Sequence, residues 1–232
     1  MMEELSTLQK IAVSILPILF AITVHETAHG WVASRLGDST AKMMGRLTLN
    51  PIKHIDLIGT VLIPILTIVT AGFIFGYAKP VPVNYQNLRH PKRDMALVAL
   101  AGPVSNLLMA LLWVIWIRLA TFIPDQYLSA SLFALATGVI GILINLVLMI
   151  LNMLPLPPLD GGRVLIGVLP EPYSTVVGRI EPYGFIILIL LLVMGVLGSI
   201  MWPAIIYFLA WFSDLAGLSV DQLRYILHVI GF

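Results

Sequence analysis

The chain contains no cysteine, and charge is scarce: only 11% of its 232 residues are Asp, Glu, Lys or Arg, where a soluble domain carries roughly 25%. Without cysteine there are no disulfides and no thiolate metal ligands. Any bound metal must sit on His, Asp or Glu, hard or borderline ligands that suit zinc. Without charge the chain cannot cover itself in water. With 59% apolar residues and a mean hydropathy of +0.99, it reads as an integral membrane protein. A net charge of +1 and the lack of a basic block argue against nucleic acid as a partner. The leading residues include Glu3 and Glu4 instead of a basic region, and no small-residue cleavage site follows. The first apolar segment is therefore expected to be retained.

What the chain does have is apolar runs of spanning length. Leu8 to Leu36, Asp94 to Arg118 and Ser131 to Leu154 read as helices that cross a bilayer. Leu57 to Ala71 is barely long enough, and reads either as a span or as a re-entrant segment. Phe185 to Ile200 and Met201 to Trp211 are further runs, separated near Trp202-Pro203, and the tail from Ser213 to Ile230 suits an interfacial position. The expected fold is an all-α polytopic bundle of about five to six transmembrane helices. Short β-like or re-entrant loops are expected near 45–51 and 75–84, where Gly45 to Pro51 alternates like an edge strand and Pro80-Val81-Pro82-Val83 cannot be helical. No internal repeat or linker divides the chain. It is expected to form a single domain, 1–232, with a core over about 8–165 and C-terminal helices over about 183–232.

Two features carry chemistry. The first is His25-Glu26-Thr27-Ala28-His29, inside the first apolar run. Histidines four apart on a helix share a face and reach one metal ion, and the glutamate beside them can deprotonate a water. Ionisable groups at membrane depth are costly, which itself points to function. A catalytic zinc takes three protein ligands and keeps a position open, so a third ligand must come from elsewhere. His54, Asp56, His90, Asp94, Asp160 and Asp214 are candidates by chemistry. Asp160 stands out among them, since it follows a helix break and precedes two glycines at the end of a long uncharged run. The second feature is a stripe of small and amide residues in the fourth apolar run: Ala134, Gly138, Gly141 and Asn145, with Asn152 seven further on. Such a stripe lets another helix approach closely.

His25 to His29, together with Asn152-Met153-Leu154-Pro155-Leu156-Pro157-Pro158-Leu159-Asp160-Gly161-Gly162, resembles the site-2 protease family of intramembrane zinc metalloproteases, in a short form without PDZ or CBS domains. Asn50 to Asp56 with Gly59-Thr60, and Ala101-Gly102-Pro103 with Asn106, resemble other stretches of that family. The resemblance implies one zinc per chain on His25, His29 and Asp160. It makes Glu26 the general base that activates a zinc-bound water, and sets Asn152 near the scissile peptide. The implied substrate is a transmembrane protein or peptide, cut within or near the bilayer of the cell membrane. His54 and Asn106 fall in matched stretches without an assigned role. The alternative from another class is an ion- or proton-coupled transporter using the same His/Glu/Asp cluster. Such proteins commonly show inverted repeats, and this chain shows none.

Overall fold

The first helix starts where its sequence supplies a cap. Ser6 accepts from the Gln9 amide while the Gln9 side chain accepts from the Ser6 N–H, a reciprocal box that satisfies two otherwise open donors. From there α1 runs unbroken over Thr7–Leu36 in the computed structural model of the protein, which describes residues 5–63 and 78–231. Thirty residues make about 45 Å of helix, more than a bilayer core. Leu8, Ile11, Ile15, Leu16 and Phe20 stay exposed along it, while Val13, Pro17, Ala21 and His25 turn inward.

Three more long helices follow: α2 (Pro91–Ala120), α3 (Leu128–Asn152) and, after a gap, α6 (Val196–Leu215). With α1 these are four helices, among the described residues, long and apolar enough to cross a membrane, and the chain is a membrane protein. Between α3 and α6 lie α4 (Asp160–Val168), a short turn Tyr173–Gly178, and α5 (Glu181–Val193). The last helix is α7 (Val220–Ile230), opened by a second capping box of Ser219 and Gln222. The described residues contain no β-strand.

The small-residue stripe sets how the bundle packs. A methyl group added at Gly138 would lie 2.4 Å from the Ile117 side chain, and one at Gly141 would lie 2.3 Å from the Trp113 ring. Helix α3 therefore presses its glycines directly onto large side chains of α2. Trp113, Ile117, Ile142 and Leu146 form the centre of the main core. Leu188 of α5, Ile205, Leu209 and Phe212 of α6, and Ile226 of α7 pack around it. The tail helix, expected at the interface, buries Ile226, Val229 and Ile230 in the bundle and leaves Asp221 and Arg224 exposed. The Leu5 N–H donates to its Val229 carbonyl, 3.0 Å.

Two expectations change in the structure. The C-terminal break falls at Met194-Gly195, and Pro203 lies inside α6. Gly195 takes a left-handed φ of +73°, which ends α5 and redirects the chain at no steric cost. Proline removes only one helical donor, which the interior of a membrane helix tolerates. Residues 45–50 form no strand. The Thr48 carbonyl accepts instead from the Thr27 hydroxyl and the His54 Nε2–H, both at 2.9 Å, and a 3-10 turn, Pro51–His54, follows. The second apolar run begins with a wide π-type turn at Leu57–Leu62. Its remainder from 64 to 71, and the start of the expected loop at 75–77, lie outside the described residues.

Candidate metal centre

Helix periodicity places His25 and His29 one turn apart on the face of α1 that meets α2. Their Nε2 atoms lie 3.1 Å apart. Asp160 reaches them from the first residue of α4, its Oδ2 lying 3.3 Å from His25 Nε2 and 3.4 Å from His29 Nε2. The approach of α4 depends on the two glycines after Asp160. A methyl group at Gly161 would lie 2.3 Å from the Met153 carbonyl oxygen, and one at Gly162 would lie 2.2 Å from the Pro157 nitrogen. Only a bare backbone lets the helix start this tightly against the Pro-rich link.

The other ring nitrogens reveal the protonation pattern. His29 Nδ1 lies 2.7 Å from the Val98 carbonyl, and His25 Nδ1 lies 2.6 Å from Asn106 Oδ1. Both partners are acceptors, so each Nδ1 carries a hydrogen, and in the neutral imidazole each Nε2 then presents a lone pair. Two lone pairs and a carboxylate oxygen thus converge, and Asp160 Oδ2 is buried without a hydrogen-bond donor. Three acceptors facing one another in a buried site repel unless a cation lies among them. A tetrahedral zinc with bonds of about 2.0–2.1 Å holds its donor atoms about 3.3 Å apart, which the observed separations match. The three residues fit zinc.

Helix α2 forms the wall of the site. Val98, Gly102 and Asn106 follow one another at four-residue spacing on one face. Gly102 lies directly against the imidazoles: a methyl group there would stand 2.4 Å from His29 Nε2 and 2.5 Å from His25 Cε1. Glu26 is half-buried beside His25, and its Oε2 accepts from the Val81 N–H, 2.8 Å. That contact brings the strap of residues 79–84 across α1. The Lys79 N–H donates to the His54 carbonyl. The Arg46 guanidinium donates to the Lys79 and Pro80 carbonyls, at 2.9 and 3.4 Å. The Asn84 N–H donates to Asp38 at 2.8 Å.

Of the remaining candidates for a third ligand, His54, Asp56 and Asp94 serve local structure, and His90 and Asp214 are exposed. His54 donates to Thr48, Asp56 accepts from the Ile58 and Gly59 amides, and Asp94 accepts from the His90 N–H. Among the described residues, His25, His29 and Asp160 form the one His/Asp/Glu group close enough to share a metal ion. Asn152 stands in the last turn of α3, where its amide donates to the Leu148 carbonyl at 2.9 Å. Sequence reasoning left Asn106 without a role and saw Asn145 only as part of a packing stripe. The available signal was a pair of amides inside otherwise apolar helices.

The chain is 41% identical over 194 residues to "Putative zinc metalloprotease YwhC" of Bacillus subtilis, covering 82% of this chain and 84% of that protein. It is 29% identical over 202 residues to "Putative zinc metalloprotease Rip2" of Mycolicibacterium smegmatis, 87% of this chain and 73% of that one. A shorter stretch of 68 residues is 43% identical to "Putative zinc metalloprotease MJ0611" of Methanocaldococcus jannaschii, 29% of this chain and 31% of that one. No family model and no solved structure matches. The likeness to YwhC over most of both chains, with a His25–His29–Asp160 cluster that fits zinc, places this protein among the zinc metalloproteases of the site-2 protease family.

Proposed function

We propose that the chain is an intramembrane zinc endopeptidase of the cell membrane. It would cut transmembrane proteins or peptides within or near the bilayer, with His25, His29 and Asp160 as metal ligands and Glu26 as general base. The observation that carries this reading is the triangle of His25 Nε2, His29 Nε2 and Asp160 Oδ2, 3.1, 3.3 and 3.4 Å apart, with each ring's Nδ1 already facing an acceptor of α2.

Depth supports an intramembrane site. His25 lies about 27 Å along α1 from its first residue and about 17 Å from its last, inside a helix that outspans the hydrocarbon core. Bound zinc would supply Lewis acidity and bring the pKa of a water down towards ~7. Glu26 follows His25 directly and is free of any cationic partner among the described ion pairs, so its carboxylate stays available to take a proton from the attacking water and deliver it to the leaving amine. The Val81 N–H holds one carboxylate oxygen and so limits the rotamers of Glu26. A substrate helix hides its carbonyls in backbone hydrogen bonds and must unwind before attack. The strap at 80–83, outside any helix, would offer backbone groups to an unwound strand. Asn152, one short link before Asp160, is assigned to the substrate backbone at the scissile bond.

The test compares wild type with Glu26→Gln in detergent, measuring metal content and cleavage of a transmembrane peptide. Both proteins should hold one zinc, and the variant should lose cleavage by at least ~10²-fold. Equal cleavage removes Glu26 as the base. Absence of stoichiometric zinc in wild type removes the metalloprotease reading.

A further inference from the structure

Behind His25 lies a chain of polar groups that binding zinc does not by itself require. Asn106 and Asn145 are both fully buried, at 0% exposure, in helices otherwise built of apolar residues. Burying an amide in such surroundings is costly unless its donors and acceptor are satisfied. Here they are satisfied in one direction only. The Asn145 Nδ2 donates to the Gly141 carbonyl at 2.8 Å, and a carbonyl can only accept. The Asn145 oxygen is therefore fixed facing Asn106, whose Nδ2 donates to it at 2.9 Å. The same Nδ2 faces the Ala21 carbonyl of α1 at 3.4 Å, a second group that can only accept. With its nitrogen held between two acceptors, Asn106 must turn its oxygen to His25 Nδ1 at 2.6 Å.

We propose that Asn106 and Asn145 are positioning residues that hold His25 in the Nδ1–H tautomer, with the Nε2 lone pair aimed at the metal. This rests on the zinc reading above and extends it to two residues with no other assigned role. The order of the chain matters. A backbone carbonyl of α3 sets Asn145, Asn145 sets Asn106, and Asn106 sets the imidazole. His29 is set separately, by the Val98 carbonyl. The two ligands are thus oriented by different devices on the same wall of α2. One is main chain, which substitution at Val98 would leave in place. The other is side chain and open to mutation. Plain interhelical adhesion between α2 and α3 would need only the Asn106–Asn145 bond. It would leave no reason for the free amide oxygen to meet His25.

The experiment strips purified full-length protein of metal in detergent and titrates zinc back against a chromophoric chelator. Wild type, Asn106→Leu and Asn145→Leu are compared. Asn106→Leu, which removes the acceptor, should weaken zinc binding 10–100-fold, the range typical of lost outer-shell partners. Asn145→Leu leaves Asn106 held by Ala21 alone and should fall between Asn106→Leu and wild type. Asn106→Leu binding zinc like wild type overturns the proposal. A second readout does not depend on the variants folding. In zinc-loaded wild type with 15N-labelled histidine, His25 Nδ1 should carry a slowly exchanging, hydrogen-bonded proton. A metal-bound or bare Nδ1 also overturns the proposal. Failure of wild type to bind zinc at all is a different result, and it strikes the metal site itself.

Discussion

Gly102→Ala is the smallest change that should disable the metal centre without touching a ligand. The new methyl carbon would stand 2.4 and 2.6 Å from His29 Nε2 and Cε1, and 2.5 Å from His25 Cε1. Non-bonded carbon contacts settle at about 3.5–4.0 Å, so roughly 1 Å of separation must be found. The imidazoles cannot supply it, since their Nδ1 atoms are tied to Val98 and Asn106, the residues one turn to either side of Gly102. Moving α2 away by 1 Å would stretch those bonds from 2.7 and 2.6 Å to about 3.7 and 3.6 Å, beyond hydrogen-bond range. Overpacking of this kind costs about 1–3 kcal/mol, and losing an outer-shell partner weakens metal binding about 10–100-fold. The expected result is a zinc dissociation constant at least tenfold higher, read by chelator competition on metal-stripped protein. The melting temperature should fall, and the stabilisation that zinc confers should shrink with it. A variant that binds zinc within twofold of wild type and melts at the same temperature would refute the close approach of α2 to the imidazoles.

Gly141→Ala tests the other side of α2. Its methyl group would enter the Trp113 ring, and a loss of about 1–3 kcal/mol is expected in denaturation of the detergent-solubilised protein. Unchanged stability would mean that α3 does not seat on Trp113. Asp38, buried just beyond the end of α1, makes a pH prediction. Burial pushes its carboxyl up, but hydrogen bonds from Thr40, Asn87 and the Asn84 amide outweigh this and hold it below the usual carboxylate range. A depressed carboxyl contributes stability above its unfolded pKa of about 3.9 and loses it as pH falls through the folded value. Asp38→Ala should therefore cost about 1.5–3 kcal/mol at neutral pH, and the difference from wild type should narrow as the pH is taken well below 4. A difference of the same size at both ends of that range would show that the charge of Asp38 is not what holds the loop.

Composition and periodicity determined a good deal of this protein alone. Membrane residence follows from the shortage of charge. The approximate positions of α1, α2 and α3 follow from apolar runs read at 8–36, 94–118 and 131–154, because spanning length is a local property, while the start of α2 at Pro91 shows only in the structure. The shared face of His25 and His29 follows from helix pitch. Local signals were weaker where two breakers competed. Pro203 and Gly195 both interrupt the C-terminal run, and only the left-handed backbone at Gly195 ends a helix. Residues 45–50 alternate like a strand, but the Thr48 carbonyl is taken by side chains of Thr27 and His54, and no strand forms there. The helix break and the family resemblance singled out Asp160 among six possible acids and histidines, and tertiary structure is what brings it to the pair on α1. Asp160 reaches them because Gly161 and Gly162 let α4 start against the Pro-rich link just before it, while the histidines it meets lie about 130 residues earlier in the chain. Tertiary structure alone turned two buried asparagines into a directed chain ending at His25. A hydrogen bond has a donor and an acceptor, and which way an amide points depends on the neighbours that three different helices bring to it.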